Sequence, residues 1–153
     1  GLSFGGILLL ECASRHPDRF ESLVLIGAVY DFDGKESGNA IDWRDLPTPF
    51  VESLLKVHPE GEAQLDRLFD PNLNYRVKLG EKELGRIHSP TLVVSGDHDE
   101  VAGIKQATQI FRMLPDASLW IIPNQGHIPV DDRNRSGFIQ QINLFFLQNE
   151  FVH

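Results

Sequence analysis

Cysteine is nearly absent from this chain: Cys12 stands alone among 153 residues. An internal disulfide is therefore excluded, and a metal–thiolate site has no ligand set to build on. Cys12 lies in an apolar, helix-like stretch, where a lone thiol is expected as a small core residue. Such cysteine usage fits a reducing, cytoplasmic setting. Basic residues are also sparse, with 14 Lys and Arg against 22 Asp and Glu and a net charge of -8. That balance disfavours nucleic acid or an acidic membrane surface as a partner and favours small substrates. No apolar run approaches the roughly 20 residues needed to cross a bilayer. Low-complexity segments and internal repeats are missing too, which argues against a disordered, fibrous or solenoid chain. Methionine occurs once, at Met113, and the chain starts with Gly1. A longer natural protein is expected on that ground.

What remains is a globular mixture, 41% hydrophobic and 24% charged, with ten Phe and two Trp. Residues 4–15 are apolar and rich in Ala and Leu until His16-Pro17-Asp18 breaks them, which predicts a helix. Residues 22–28, 90–95 and 118–122 are short apolar runs bounded by Gly or Pro, the pattern of strands buried on both faces of a parallel sheet. Ile104, Ala107, Phe111 and Leu114 keep helical spacing, as do Ile139, Ile142 and Phe146 in a last helix over 136–150. Between the first two strands the character changes. Gly34 to Asn39 is a polar loop, and two short helical patterns follow, punctuated by Pro47, Pro49, Pro59 and Pro71. Alternating strands and helices predict an α/β fold with a parallel sheet, interrupted by a small helical insertion.

Three motifs fall where such sheets build their sites, just beyond strand ends. The chain opens on Gly1-Leu2-Ser3-Phe4-Gly5-Gly6, a Gly-x-Ser-x-Gly turn leading into a helix. In such an elbow the flanking glycines are expected to leave room for a tight bend and a close helix, while the serine hydroxyl stands exposed. Gly96-Asp97-His98-Asp99-Glu100 follows the second strand, and Asn124-Gln125-Gly126-His127 follows the third. Asp97, Asp99 and Glu100 compete as the acid of a Ser–Asp–His set, and Asp31 is a further candidate. Of six histidines, His127 has the matching place, while His16 reads as a helix-end residue and His58 and His88 as loop or helix-end residues. Asp97-His98-Asp99 has some ligand character, but neighbours in sequence rarely share one metal.

These stretches, with Leu23-Val24-Leu25-Ile26-Gly27 and Pro90-Thr91-Leu92-Val93-Val94-Ser95-Gly96-Asp97-His98-Asp99, resemble the C-terminal part of an α/β-hydrolase. The resemblance implies a three-layer α/β/α fold with a predominantly parallel sheet and a short helical cap. It divides the chain into 1–30 (elbow, helix and first strand), a cap insertion over 31–87, and 88–153 with the acid and histidine loops, all one partial domain. Carried over residue by residue, it makes Ser3 the nucleophile, His127 the base and Asp99, at Gly-x-x-Asp spacing, the acid. The Phe4 backbone N–H becomes an oxyanion-hole donor. Asp97 is left as a turn-capping residue.

Ser3 sets the chain apart from the aspartate-nucleophile relatives, the epoxide hydrolases and haloalkane dehalogenases. The implied activity is cleavage of a carboxylic ester, amide or lactone through an acyl-enzyme, as in single-domain esterases and the amino-acid-ester or peptidase-like group. No cofactor or metal is implied. Acyltransferases and carbon–carbon bond hydrolases share the same residues. A non-catalytic ligand-binding module and a partner-binding half are the readings from other classes. Trp43, Phe50 and Phe69 in the insertion are candidates for an apolar substrate pocket, with cap packing as the alternative. The strand that should feed the elbow lies before Gly1, so the first strand has an open apolar edge. A complementary N-terminal segment, or a dimer through that edge, is the partner expected there, and the elbow itself is expected to fray.

Overall fold

The computed structural model describes residues 1–33, 42–70 and 75–149. The polar loop read at Gly34–Asn39, Pro71 and the last residue of the final helix lie outside them. Three parallel strands form the main sheet in the order β1 (Leu23–Ile26), β4 (Thr91–Gly96), β5 (Ala117–Ile122). The middle strand, β4, is buried along its whole length, which is why its sequence is a nearly unbroken apolar run. Its two hydroxyls stay satisfied there: Thr91 donates to the Ser89 carbonyl at 2.9 Å and Ser95 to its neighbour Gly96 at 3.1 Å.

The pleat separates the side chains into two sets. Val24, Ile26, Leu92, Val94, Trp120 and Ile122 share one face and pack against Phe138, Ile142 and Phe145 of α6 (Arg135–Asn149). Trp120 and Phe138 stack with centroids 5.4 Å apart. α1 (Phe4–Arg15) packs on β1, and α5 (Gly103–Met113) packs on β4 and β5; the short α4 (Glu81–Leu84) touches both helices. Leu10, Leu84 and Ile110 on these helices are fully buried, each contributing roughly 1.5–3 kcal/mol by leaving water. Helices therefore cover the sheet in a three-layer α/β/α arrangement.

In α1 the buried residues are Gly6, Ile7, Leu10, Ala13 and Ser14, a stripe at 3.6-residue spacing. Cys12 falls off that stripe and is exposed, against the expectation of a core thiol. The helix is apolar on more than one side, so composition alone pointed to the wrong face.

The chain divides into two compact units, residues 1–31 with 77–153 and residues 32–76. The second contains α2 (Thr48–Val57) and α3 (Glu62–Leu68), the two helices expected from the pattern. Its core includes Leu65 and Trp43; the Trp43 indole N–H donates to the Asp66 carboxylate at 3.0 Å, and Arg44 lies 4.4 Å over the indole ring. Two three-residue strands, β2 (Asp31–Asp33) and β3 (Arg76–Lys78), pair with each other as a second sheet. Among the described residues no helix is long and apolar enough to cross a membrane.

Candidate active site

Ser3 sits at the N-cap of α1 with φ 51° and ψ -123°, a backbone conformation that L-residues rarely adopt. Such strain persists only where the surroundings over-determine it. Here they do. The Ser3 N–H donates to the Ile26 carbonyl at 2.8 Å, Ile26 N–H donates to Gly1 O at 2.9 Å, and Leu2 pairs with Ile26 as a parallel bridge. The Ser3 carbonyl meanwhile accepts from Gly6 and Ile7 N–H. These bonds tie the elbow to the end of β1.

The glycines around Ser3 do different jobs from those expected. A Cβ on Gly1 would lie 2.6 Å from the Gly5 carbonyl, so the bend itself demands glycine there. Outside the helix's own backbone, a Cβ on Gly5 would meet no described residue within 4 Å. The close helix approach belongs to Gly6, whose Cβ would stand 2.8 Å from that of Ala28 just past β1.

Asp99 lies in the turn after β4 and His127 in the loop after β5, at adjacent strand ends. His127 Nε2 is 2.8 Å from Ser3 Oγ, and Nδ1 is 3.0 and 3.1 Å from the two Asp99 carboxylate oxygens. The carboxylate side chain is fully buried and the imidazole 22% exposed. Asp99 Oδ1 also accepts from the N–H groups of Val101 and Ala102, both at 2.9 Å. Burial by itself would raise the Asp99 pKa. The hydrogen bonds from Ala102 N–H, His127 and Val101 N–H outweigh it and hold the carboxyl below its ordinary range. An ionised Asp99 accepts only, so the proton of a neutral His127 belongs on Nδ1 and leaves Nε2 as an acceptor facing the serine hydroxyl. A hydroxyl at that distance can pass its proton to the imidazole, with the carboxylate balancing the charge that forms.

Two further glycines, outside the elbow, shape these contacts. Gly27, past the end of β1, has φ +56°, and a Cβ there would come 3.0 Å from both Cε1 and Nδ1 of His127. A Cβ on Gly96, the last residue of β4, would overlap the carbonyl oxygens of Gln125 and Gly126. The imidazole and its loop therefore rest directly on main chain at two strand ends. In the sequence, Gly27 carries only the signal of a glycine closing an apolar run, while Gly96 also opens the Gly-x-x-Asp spacing of the acid turn.

The other candidates lie elsewhere. Asp97 accepts from the Gln125 N–H at 3.2 Å, and Glu100 is exposed. Asp31 starts β2, exposed. Phe4 is the first residue of α1, which puts its N–H at the helix N-terminus. Trp43 is buried, Phe50 on α2 is 52% exposed, and Phe69 is half-buried at the end of α3; all three belong to the 32–76 unit. No group of three or more His, Cys, Asp or Glu among the described residues is placed to hold a metal ion.

Comparison with known proteins places this arrangement in a wider setting. The chain is 26% identical over 164 residues to a pimeloyl-(acyl-carrier protein) methyl ester esterase of Nitrosospira multiformis, covering 84% of this chain and 60% of that protein. It is 24% identical over 152 residues to a 2-hydroxymuconate semialdehyde hydrolase of Pseudomonas putida, covering 83% and 54%. The chain thus spans somewhat more than half the length of these curated relatives. A crystal structure of a meta-cleavage product hydrolase from Pseudomonas fluorescens IP01 superposes with a TM-score of 0.69 at 20% identity, over 97% of this chain and 63% of that one. At that identity the likeness concerns the fold, which is the α/β-hydrolase fold. The sequence pattern of one family runs from the elbow through the histidine loop and α6, over residues 1–151, and by that match the chain belongs to the prolyl oligopeptidase family.

Proposed function

We propose that this chain carries the Ser3–His127–Asp99 triad of a serine hydrolase that cleaves a small carboxylic ester, amide or lactone through an acyl-enzyme. The observation that carries the reading is the continuous contact from Ser3 Oγ to His127 at 2.8 Å and from His127 to Asp99 at 3.0 Å. Ser3 Oγ attacks the carbonyl carbon as its proton moves to His127 Nε2. The Phe4 N–H, at the positive end of α1, is assigned to the oxyanion that results. His127 then returns the proton to the departing alcohol or amine, leaving Ser3 acylated. Water then attacks the acyl carbon as the same imidazole takes its proton, and the imidazole returns that proton to Ser3 Oγ as the acid departs.

The ester reading is supported by the esterase among the relatives, and the family description adds peptide amides. A second reading is hydrolysis of a carbon–carbon bond next to a ketone, supported by the two relatives named as meta-cleavage product and 2-hydroxymuconate semialdehyde hydrolases. Phe50 and Phe69 are assigned to substrate selection, Phe50 having the more open surface, and the buried Trp43 to packing within the 32–76 unit. The edge of β1 beyond its bridge to Leu2 is assigned to a complementary strand. A series of p-nitrophenyl esters, assayed beside Ser3→Ala, tests the reading. Hydrolysis abolished by Ser3→Ala is expected; equal rates in both would sink it.

A further inference from the structure

The loop that carries His127 is tied to the acid turn by a residue that no catalytic role requires. Gln125 makes two main-chain bonds to that turn: its N–H donates to Asp97 Oδ1 at 3.2 Å, and its carbonyl accepts from His98 N–H at 2.9 Å. Its side-chain amide donates to Asp131 Oδ2 at 3.4 Å. Asp131 is itself fixed, accepting from the N–H groups of Arg133 and Asn134, while Asn134 Nδ2 holds the Pro129 carbonyl at 3.1 Å. His127 therefore lies inside a segment, 125–131, whose two ends are clasped to each other. One end is stitched to residues 97 and 98, immediately before Asp99. Beneath it, Gly96 leaves no space for the loop to sink or slide toward the sheet.

We propose that Asp97 and Gln125 are positioning residues that act through this clasp to fix the imidazole of His127 against Asp99. Asp97 accepts a main-chain N–H two residues before His127, so it sets the spacing between acid and base without touching either. Its consequence for hydrolysis rests on the serine-hydrolase reading; its consequence for the Asp99–His127 hydrogen bond does not.

The two are separated by measuring both in Asp97→Ala, Asp97→Asn and Gln125→Ala, on the full chain. The proton on His127 Nδ1 is read as a far-downfield proton NMR resonance, which needs no turnover. In Asp97→Ala the resonance is expected to broaden by exchange with water and kcat to fall about tenfold, the scale of one lost hydrogen bond, with KM unchanged. Asp97→Asn keeps an acceptor oxygen and should restore both. Gln125→Ala, which leaves the main-chain bonds and the Asp131–Asn134 bonds intact, should show the same changes more weakly. An unaltered resonance in Asp97→Ala, folded by circular dichroism, would overturn the proposal. If Asp97→Ala does not fold, Gln125→Ala decides, and a resonance there identical to wild type overturns it equally. Absence of Ser3-dependent hydrolysis alongside an Asp97-sensitive resonance would refute the hydrolase reading and leave the clasp standing.

Discussion

Gly27→Ala should damage activity well beyond its effect on folding. Gly27 has φ +56°, where an alanine costs about 1–2 kcal/mol in backbone strain alone. For a chain of this size that corresponds to a melting temperature lowered by roughly 2–8 °C. The added methyl would also sit 3.0 Å from Cε1 and Nδ1 of His127, so the imidazole must give by a few tenths of an ångström. Its Nδ1 is held 3.0 Å from Asp99 and its Nε2 2.8 Å from Ser3, so any displacement lengthens one of these bonds. A misplacement of roughly 1 Å costs about 100-fold in rate, so a shift of this size should cost about tenfold in kcat/KM. The assay is ester hydrolysis at a temperature well below the melting midpoint of both proteins. An unchanged kcat/KM with a lowered melting temperature would refute the claim that Gly27 seats the His127 imidazole.

Three further outcomes follow from the same structure. Gly6→Ala should lose about 1–3 kcal/mol in urea denaturation, because its methyl meets the Ala28 side chain at 2.8 Å, whereas Gly5→Ala should be neutral or stabilising by up to ~1 kcal/mol. Leu10→Ala, at a fully buried site on α1, should cost about 2–5 kcal/mol by the same measurement. The Asp131 carboxyl is held down to about 2 by Arg133, and by the Arg133 and Asn134 N–H groups and Gln125, with burial opposing. Its stabilising contribution is therefore complete above its ordinary value of 3.8 and is lost as pH falls toward 2. Stability measured against pH should lose part of its slope in that window in Asp131→Asn.

The sheet and its helices could be read from the sequence because each buried strand is a short apolar run closed by glycine or proline. The runs 22–28, 90–95 and 118–122 match β1, β4 and β5 to within two residues at either end. The order of the serine, aspartate and histidine loops could be read for the same reason, since each directly follows a strand or opens a helix. The small sheet could not. Asp31–Asp33 and Arg76–Lys78 are three-residue strands, each with one apolar residue between two charges, and too short for any periodicity. The division of labour among glycines was equally hidden. A Gly-x-Ser-x-Gly motif names Gly1 and Gly5, but the contacts fall on Gly1 and Gly6, and on Gly27 and Gly96 far away in sequence. Those roles arise from approaches between strand ends and loops that only the folded chain brings together. Cys12 departs from the core position its surroundings suggest because α1 is apolar on more than one side, and its buried stripe is fixed by packing on β1 rather than by composition.

The central claim is that Ser3 is a nucleophile activated by His127. A fluorophosphonate probe, which reacts only with an activated serine, tests it most directly when followed by peptide mapping. One covalent adduct is expected, on the peptide that contains Ser3, with labelling lost in both Ser3→Ala and His127→Ala. An adduct on another serine, or undiminished labelling of Ser3 in His127→Ala, would contradict it.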